Sequence, residues 1–248
     1  MLISFFEEFP STSNLKKLDL IKFPTKLYLA DYSIEGYKQY KKELKYNNLK
    51  EIIWWPVLNR HEGYWLSPFS KRKALLRTFH HLLNEKIPIL WDAELPKNRI
   101  LLFTQILKFS KNKKLIRNFF KKYKGEIYTA EYAYSNSLTN KLFDYIALFF
   151  NPNKYNNKII KMFYTSMNPL EEIFIKSELE KGVKKYNSKF LVGLGVIATG
   201  IRGDEPLISP EQLERDLKIC KDSGIKEVII FRLAGLNEKY LKVINKFS

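Results

Sequence analysis

The stretch Ile87-Pro88-Ile89-Leu90-Trp91-Asp92-Ala93-Glu94-Leu95-Pro96 begins as a short apolar run and ends in two carboxylates one residue apart, closed by a proline. A run this short, rich in branched residues and bounded by Pro, reads as a buried strand. Side chains alternate faces along a strand, so Asp92 and Glu94 point one way while Trp91 and Ala93 point the other. Two acids at the end of a hydrophobic strand are costly to bury unless something needs them there.

Working outward, the same unit recurs. Strand-like runs at 2–9, 26–32, 51–58, 87–96, 126–134, 158–167, 190–199 and 227–233 alternate with helix-like ones. The helical spans predicted between them include 33–47, 70–85, a pair at 99–109 and 112–123 broken near Ser110, and 138–150. Asn168-Pro169-Leu170-Glu171 reads as a helix start, and Ser209-Pro210-Glu211-Gln212 as a capping box. Eight strand–helix pairs in this length predict an α/β fold, a (β/α)₈ TIM barrel formed by residues 1–248 as a single domain. An open doubly wound sheet is the alternative, but the Gly-rich turn it often carries after strand one is replaced here by Ser11-Thr12-Ser13-Asn14.

Composition narrows the class. Hydrophobic residues make up 45% of the 248, enough for a sizeable core. A single cysteine, Cys220, leaves no intramolecular disulfide and fits a reducing compartment. The first ten residues have no basic region and do not read as a signal peptide. The longest apolar stretch, 190–201, contains three glycines and is too short to span a bilayer, so a cytoplasmic protein with no membrane partner is expected. Cys, Met, His and Gln are scarce while Lys and Glu are common, a balance that suits a thermophile. The net charge of +17 is carried mainly by lysines in helical segments. Solvated helix faces explain this better than nucleic-acid binding, for which no motif is present.

In such barrels chemistry lies at the C-terminal strand ends and in the loops that follow. Those positions hold Glu7 and Glu8, Asp31, the Asn59-Arg60-His61-Glu62 run with Trp65, Asp92 and Glu94, Glu131 with Tyr132 and Tyr134, Tyr164, Thr199 and Arg232. Acids, tyrosines and an arginine at one mouth suit a carbohydrate or another polar small molecule, since sugars offer hydroxyls to carboxylates and ring faces to aromatics. At i, i+2 spacing, ionising Asp92 or Glu94 makes ionising the other harder, an arrangement that would hold Glu94 protonated as an acid near neutrality. Glu94, Asp92 and Glu131 are therefore the candidate catalytic residues. Glu7, Asp31, Asn59, His61, Trp65, Tyr132, Tyr164 and Arg232 are the candidate substrate contacts, with no metal or cofactor expected. The bland alternative is that these acids pair with Lys or Arg and only tune strand ends.

The strand-four ending resembles that of the chitinase-type (family 18) glycoside hydrolases, whose D-x-D-x-E run ends in the general acid. Leu90-Trp91-Asp92-Ala93-Glu94 keeps the last Asp and the Glu and has Leu at the first Asp. Lys161-Met162-Phe163-Tyr164-Thr165 is similar to the family's strand-six M-x-Y-D, with Thr165 at the Asp; the strand-eight tryptophan has no counterpart in Phe231-Arg232-Leu233. The resemblance implies glycoside cleavage, with Glu94 as acid and Asp92 orienting a substrate N-acetyl group that acts as internal nucleophile. Two other enzyme classes stay open. One is a metal-dependent barrel using His61 or an Asp92–Glu94–Glu131 carboxylate set. The other is a phosphosugar enzyme holding phosphate at Thr199-Gly200-Ile201-Arg202-Gly203 and Ala234-Gly235. A catalytically inactive sugar-binding barrel is a further possibility.

Overall fold

A computed structural model of the chain describes residues 1–133 and 137–248, so Tyr134 lies outside the described residues. Eight strands form a closed barrel in sequence order: β1 (Leu2–Glu7), β2 (Thr25–Asp31), β3 (Leu49–Pro56), β4 (Ile89–Asp92), β5 (Ile127–Tyr132), β6 (Lys158–Phe163), β7 (Phe190–Gly195) and β8 (Glu227–Phe231). β1 pairs in parallel with both β2 and β8, and β4 with β5. The eight-strand expectation holds. The strands end one to four residues before the sequence predicts. The chain is organised as two compact units, one of Met1–Ala30, Tyr40–Ile53 and Ile160–Ser248, the other of Asp31–Gln39 and Trp54–Ile159.

In the first unit Ser4, Phe6, Tyr28 and Phe231 share one strand face. Phe6 lies 5.4 Å from the Tyr28 ring and 6.1 Å from that of Phe231. At the foot of this face Glu227 accepts hydrogen bonds from Ser4 (2.8 Å) and Tyr28 (3.0 Å) and pairs with Lys26 (3.0 Å), so a buried acid is fully engaged. The helix Pro210–Asp222 starts as its sequence predicts, with Ser209 Oγ accepting from the Gln212 amide. Its Asp216 accepts from Thr165 and Arg215. Burial, only partly offset by these two partners, pushes the Asp216 carboxyl above its ordinary value. A raised folded value means stability that is full at low pH and is lost as pH rises through that value. Asp216→Asn should therefore remove that loss, so its denaturation midpoint should rise more steeply from acid toward neutral pH than the wild type's does.

In the second unit the helix-facing side of β4 presents Trp91, wholly buried, with ring centroids 5.1–6.1 Å from Phe79, Phe119, Phe120 and Phe150. This aromatic cluster fixes which face of β4 is which, because a slip of one residue would exchange Trp91 with Asp92. The predicted break near Ser110 falls instead at Gln105, between helices Ile100–Thr104 and Ile106–Lys122. The helix expected to open at Asn168-Pro169 spans Glu172–Tyr186, so that proline precedes the helix rather than starting it.

Candidate active site

The register Leu90↔Tyr128, Trp91↔Thr129, Asp92↔Ala130 places Asp92 on the face opposite Trp91, the same face as Ala130 and Tyr132. The ladder runs one step beyond the strand, through the Ala93 amide to the Ala130 carbonyl (3.0 Å). Asp92 is buried and Glu94, in the following loop, is half-buried. The Tyr132 hydroxyl donates to Glu94 Oε2 at 3.4 Å. Of the predicted site residues in this unit, Glu94 and Tyr132 meet, and Asp92 lies on the strand face that also carries Tyr132. The loop carrying Glu94 is tied further along by the Lys97 amide, which donates to the Gly63 carbonyl (3.2 Å). Gly63 has φ 136°, and a Cβ there would lie 2.7 Å from Ser70 Oγ, so this turn requires glycine.

Glu131 does not join them. It lies on the opposite strand face with Thr129, is 1% exposed, and accepts from Thr129 Oγ1 and the Phe150 amide, both at 3.0 Å. Asn157 bridges the same Thr129 hydroxyl (2.9 Å) and the Phe150 carbonyl (3.0 Å). Glu131 is an anchor for the segment before β6, and its assignment as a catalytic group is corrected by alternation. Glu131→Ala should lower stability by about 1–3 kcal/mol for each buried donor left unpaired, read from a urea titration.

Three of the predicted contacts are engaged within the protein. Asp31 accepts from the Ser33 amide (2.8 Å) at the start of helix Ile34–Glu43, and a Cβ at Gly36 would lie 2.5 Å from its Oδ1, so the carboxylate is tucked against that turn. Asn59 donates to Glu62 (3.2 Å), whose carboxylate takes a two-point contact from Arg77 (2.8 and 3.1 Å) that holds it below the usual carboxylate range. Trp65, a candidate substrate contact, is only 7% exposed, with its ring edge-on to Tyr64 at 5.3 Å. His61 is exposed on the short turn Arg60–Glu62.

In the first unit, Glu7 and Arg232 pair with each other. Arg232 Nη1 donates to Glu7 Oε1 at 2.7 Å, its Nε donates to the Thr199 carbonyl (2.9 Å), and its guanidinium lies 4.9 Å from the Phe9 ring. Burial pushes the Glu7 carboxyl up, against the pull of Arg232 and the Phe9 and Ala234 amides. Tyr164 is half-buried, 5.8 Å from the Phe231 ring. The residue missed was Glu8. It shares a face with Ser4 and Phe6, is 5% exposed and accepts from the Ile201 amide at 3.0 Å. Ser4 and Phe6, four and two residues before it, are on the face that meets Tyr28 and Phe231.

The loop after β7 bears on the phosphosugar reading. Its Gly200, Arg202 and Gly203 amides donate to Glu205 at 3.1, 3.3 and 3.0 Å, and that of Ile201 to Glu8. The amide nest that would cradle a phosphate is filled by the protein's own carboxylates. Among the described residues no three of His, Cys, Asp and Glu are grouped as a metal ion would need. Cys220 is buried in its helix, where burial pushes the thiol up and makes it a poor nucleophile.

Solved structures match the chain over almost its whole length. A GH18 chitinase from Pseudoalteromonas aurantia superposes with a TM-score of 0.58 at 10% identity, covering 99% of each chain. The PgaB (BpsB) glycoside hydrolase domain from Bordetella bronchiseptica gives 0.56 at 11% identity, covering 100% of this chain and 98% of that one. The likeness is one of fold. A xylose isomerase domain protein from Planctomyces limnophilus also gives 0.56, at 8% identity and 99% and 94% coverage. No protein-family model and no curated protein matches the sequence. Among the described residues no helix is long and apolar enough to cross a membrane.

Proposed function

We propose that the chain is a glycoside hydrolase in which Glu94 is the general acid and Asp92 the group that orients or stabilises the reacting sugar. The observation that carries this reading is the hydrogen bond from the Tyr132 hydroxyl to a half-buried Glu94, with a buried Asp92 two residues earlier on the strand face that Tyr132 shares. Burial keeps Asp92 from simply floating in solvent, while Glu94 retains access to a ligand. In the reaction Glu94 gives its proton to the glycosidic oxygen as that oxygen leaves the anomeric carbon. With an N-acetylated sugar, Asp92 would hold the acetamido group whose carbonyl oxygen forms the new bond to that carbon. Water then restores the hydroxyl, with Glu94 taking back a proton. Leu90, on the same face one step earlier, is fully buried and apolar.

Chitin oligosaccharides are the first substrates to assay, given the chitinase among the structural neighbours. Product formation by the wild type, lost in Glu94→Gln, is the expected result; a Glu94→Gln variant as fast as the wild type would remove the assignment. A wild type that binds the oligosaccharide in calorimetry without cleaving it would instead mark a sugar-binding barrel. The carboxylate metal site is not favoured, because Glu131 faces away from Asp92.

A further inference from the structure

Helices Ile100–Thr104 and Ile106–Lys122, in the second unit, leave large apolar side chains in solvent: Ile100 is 66% exposed, Phe103 77%, Ile106 60% and Leu107 91%. Leu107, Lys111 and Lys114 form a stripe at helical spacing on the longer helix, and Ile100 and Phe103 precede it on the shorter one, just before the break at Gln105. Lys111 and Lys114 are themselves exposed. The stripe is fixed outward, since the other side of the longer helix is packed. Asn112, fully buried, donates to the Pro68 and Ser70 carbonyls (3.0 and 3.1 Å) and accepts from Arg72 (3.1 Å). From residue 95 to residue 125 the chain carries ten Lys and Arg and no Asp or Glu.

We propose that this face seats the protein on an anionic bilayer surface. Ile100, Phe103, Ile106 and Leu107 enter the boundary between headgroups and acyl chains, and Lys111 and Lys114 meet the lipid phosphates. Charge complementarity selects this occupant over a second copy, which would bring the same lysine-rich, acid-free segment against itself. The apolar side chains stand on the convex side of a helix, a shape that fluid lipid moulds around but a folded protein must match with a groove. The expectation of no membrane contact rested on the lack of a spanning segment, and a helix lying in the interface needs none.

Sedimentation of the full chain with vesicles of equal phosphatidylglycerol and phosphatidylcholine, and with phosphatidylcholine alone, tests this. Binding to the mixed vesicles that weakens with salt is expected. Phe103→Ser with Leu107→Ser should weaken it at least about tenfold, since each of these side chains gains that much on burial. Lys111→Ala with Lys114→Ala should weaken it by about fivefold per lysine. All four positions are solvent-exposed, so far-UV circular dichroism and melting curves should match the wild type. No sedimentation with mixed vesicles, or equal sedimentation of the Phe103/Leu107 variant, would overturn the proposal. So would a dimer in light scattering that this variant dissolves, which would assign the face to a second copy. Capture by polyglutamate without vesicle binding would assign it to an acidic protein instead.

Discussion

Arg232→Met should destabilise the folded chain by about 3–5 kcal/mol, the cost of leaving a buried charge without its partner. Glu7 has no solvent exposure, and its Oε1 accepts from Arg232 at 2.7 Å and from the Phe9 amide at 3.0 Å while Oε2 accepts from the Ala234 amide at 2.8 Å. The amides remain in the variant; the cation does not. Burial already pushes the Glu7 carboxyl above its ordinary value with Arg232 present, and removing the arginine pushes it further. A raised folded value means that folding is helped when the group is protonated and loses that help as pH rises through the folded value. The defect of Arg232→Met should therefore be small near pH 4 and large near pH 8, as judged from urea midpoints at the two conditions. Adding Glu7→Gln should recover part of the loss, because the pair couples directly. Equal losses at the two pH values would show that Arg232 acts through its Phe9 and Thr199 contacts and not through its charge.

That pair also marks how far the sequence could be read. Period-two runs and helix starts such as Ser209-Pro210 are local signals, and they were enough for eight strands closed into a barrel. The faces of the strands were harder. Trp91 is large and apolar, which sent Asp92 correctly to the other side, but no such marker separates Glu7 from Glu8, because both faces of β1 are buried. Glu131 and Asp31 carry the right residue types at the right strand ends, yet each satisfies backbone amides of its own neighbourhood. Polarity at a strand end tells only that a partner exists. Whether the partner is a ligand, a Phe150 amide or an arginine 225 positions away is decided by long-range packing that no local window contains. Trp65 is a similar case, a candidate substrate contact that the Gly63–Ser70 turn folds inward.

Glu94→Gln should lower kcat on chitin oligosaccharides by about 10²- to 10⁴-fold, the range over which a positioned acid contributes to proton transfer. Glutamine preserves size and can still accept from the Tyr132 hydroxyl, which lies 3.4 Å from Glu94 Oε2 in the wild type, but it cannot supply a proton to a leaving alkoxide. KM should change little, because the lost interaction forms only as the bond breaks. The decisive comparison uses two leaving groups. A nitrophenolate departs without protonation, so the nitrophenyl glycoside should suffer much less from Glu94→Gln than the oligosaccharide does. Asp92→Asn should slow both substrates, since it acts on the sugar and not on the departing oxygen. Glu94 is half-buried in a loop and not part of the core, so the melting curve of Glu94→Gln should overlay that of the wild type. Equal losses on both substrates would mean that Glu94 positions the sugar, and the acid would then have to be sought elsewhere.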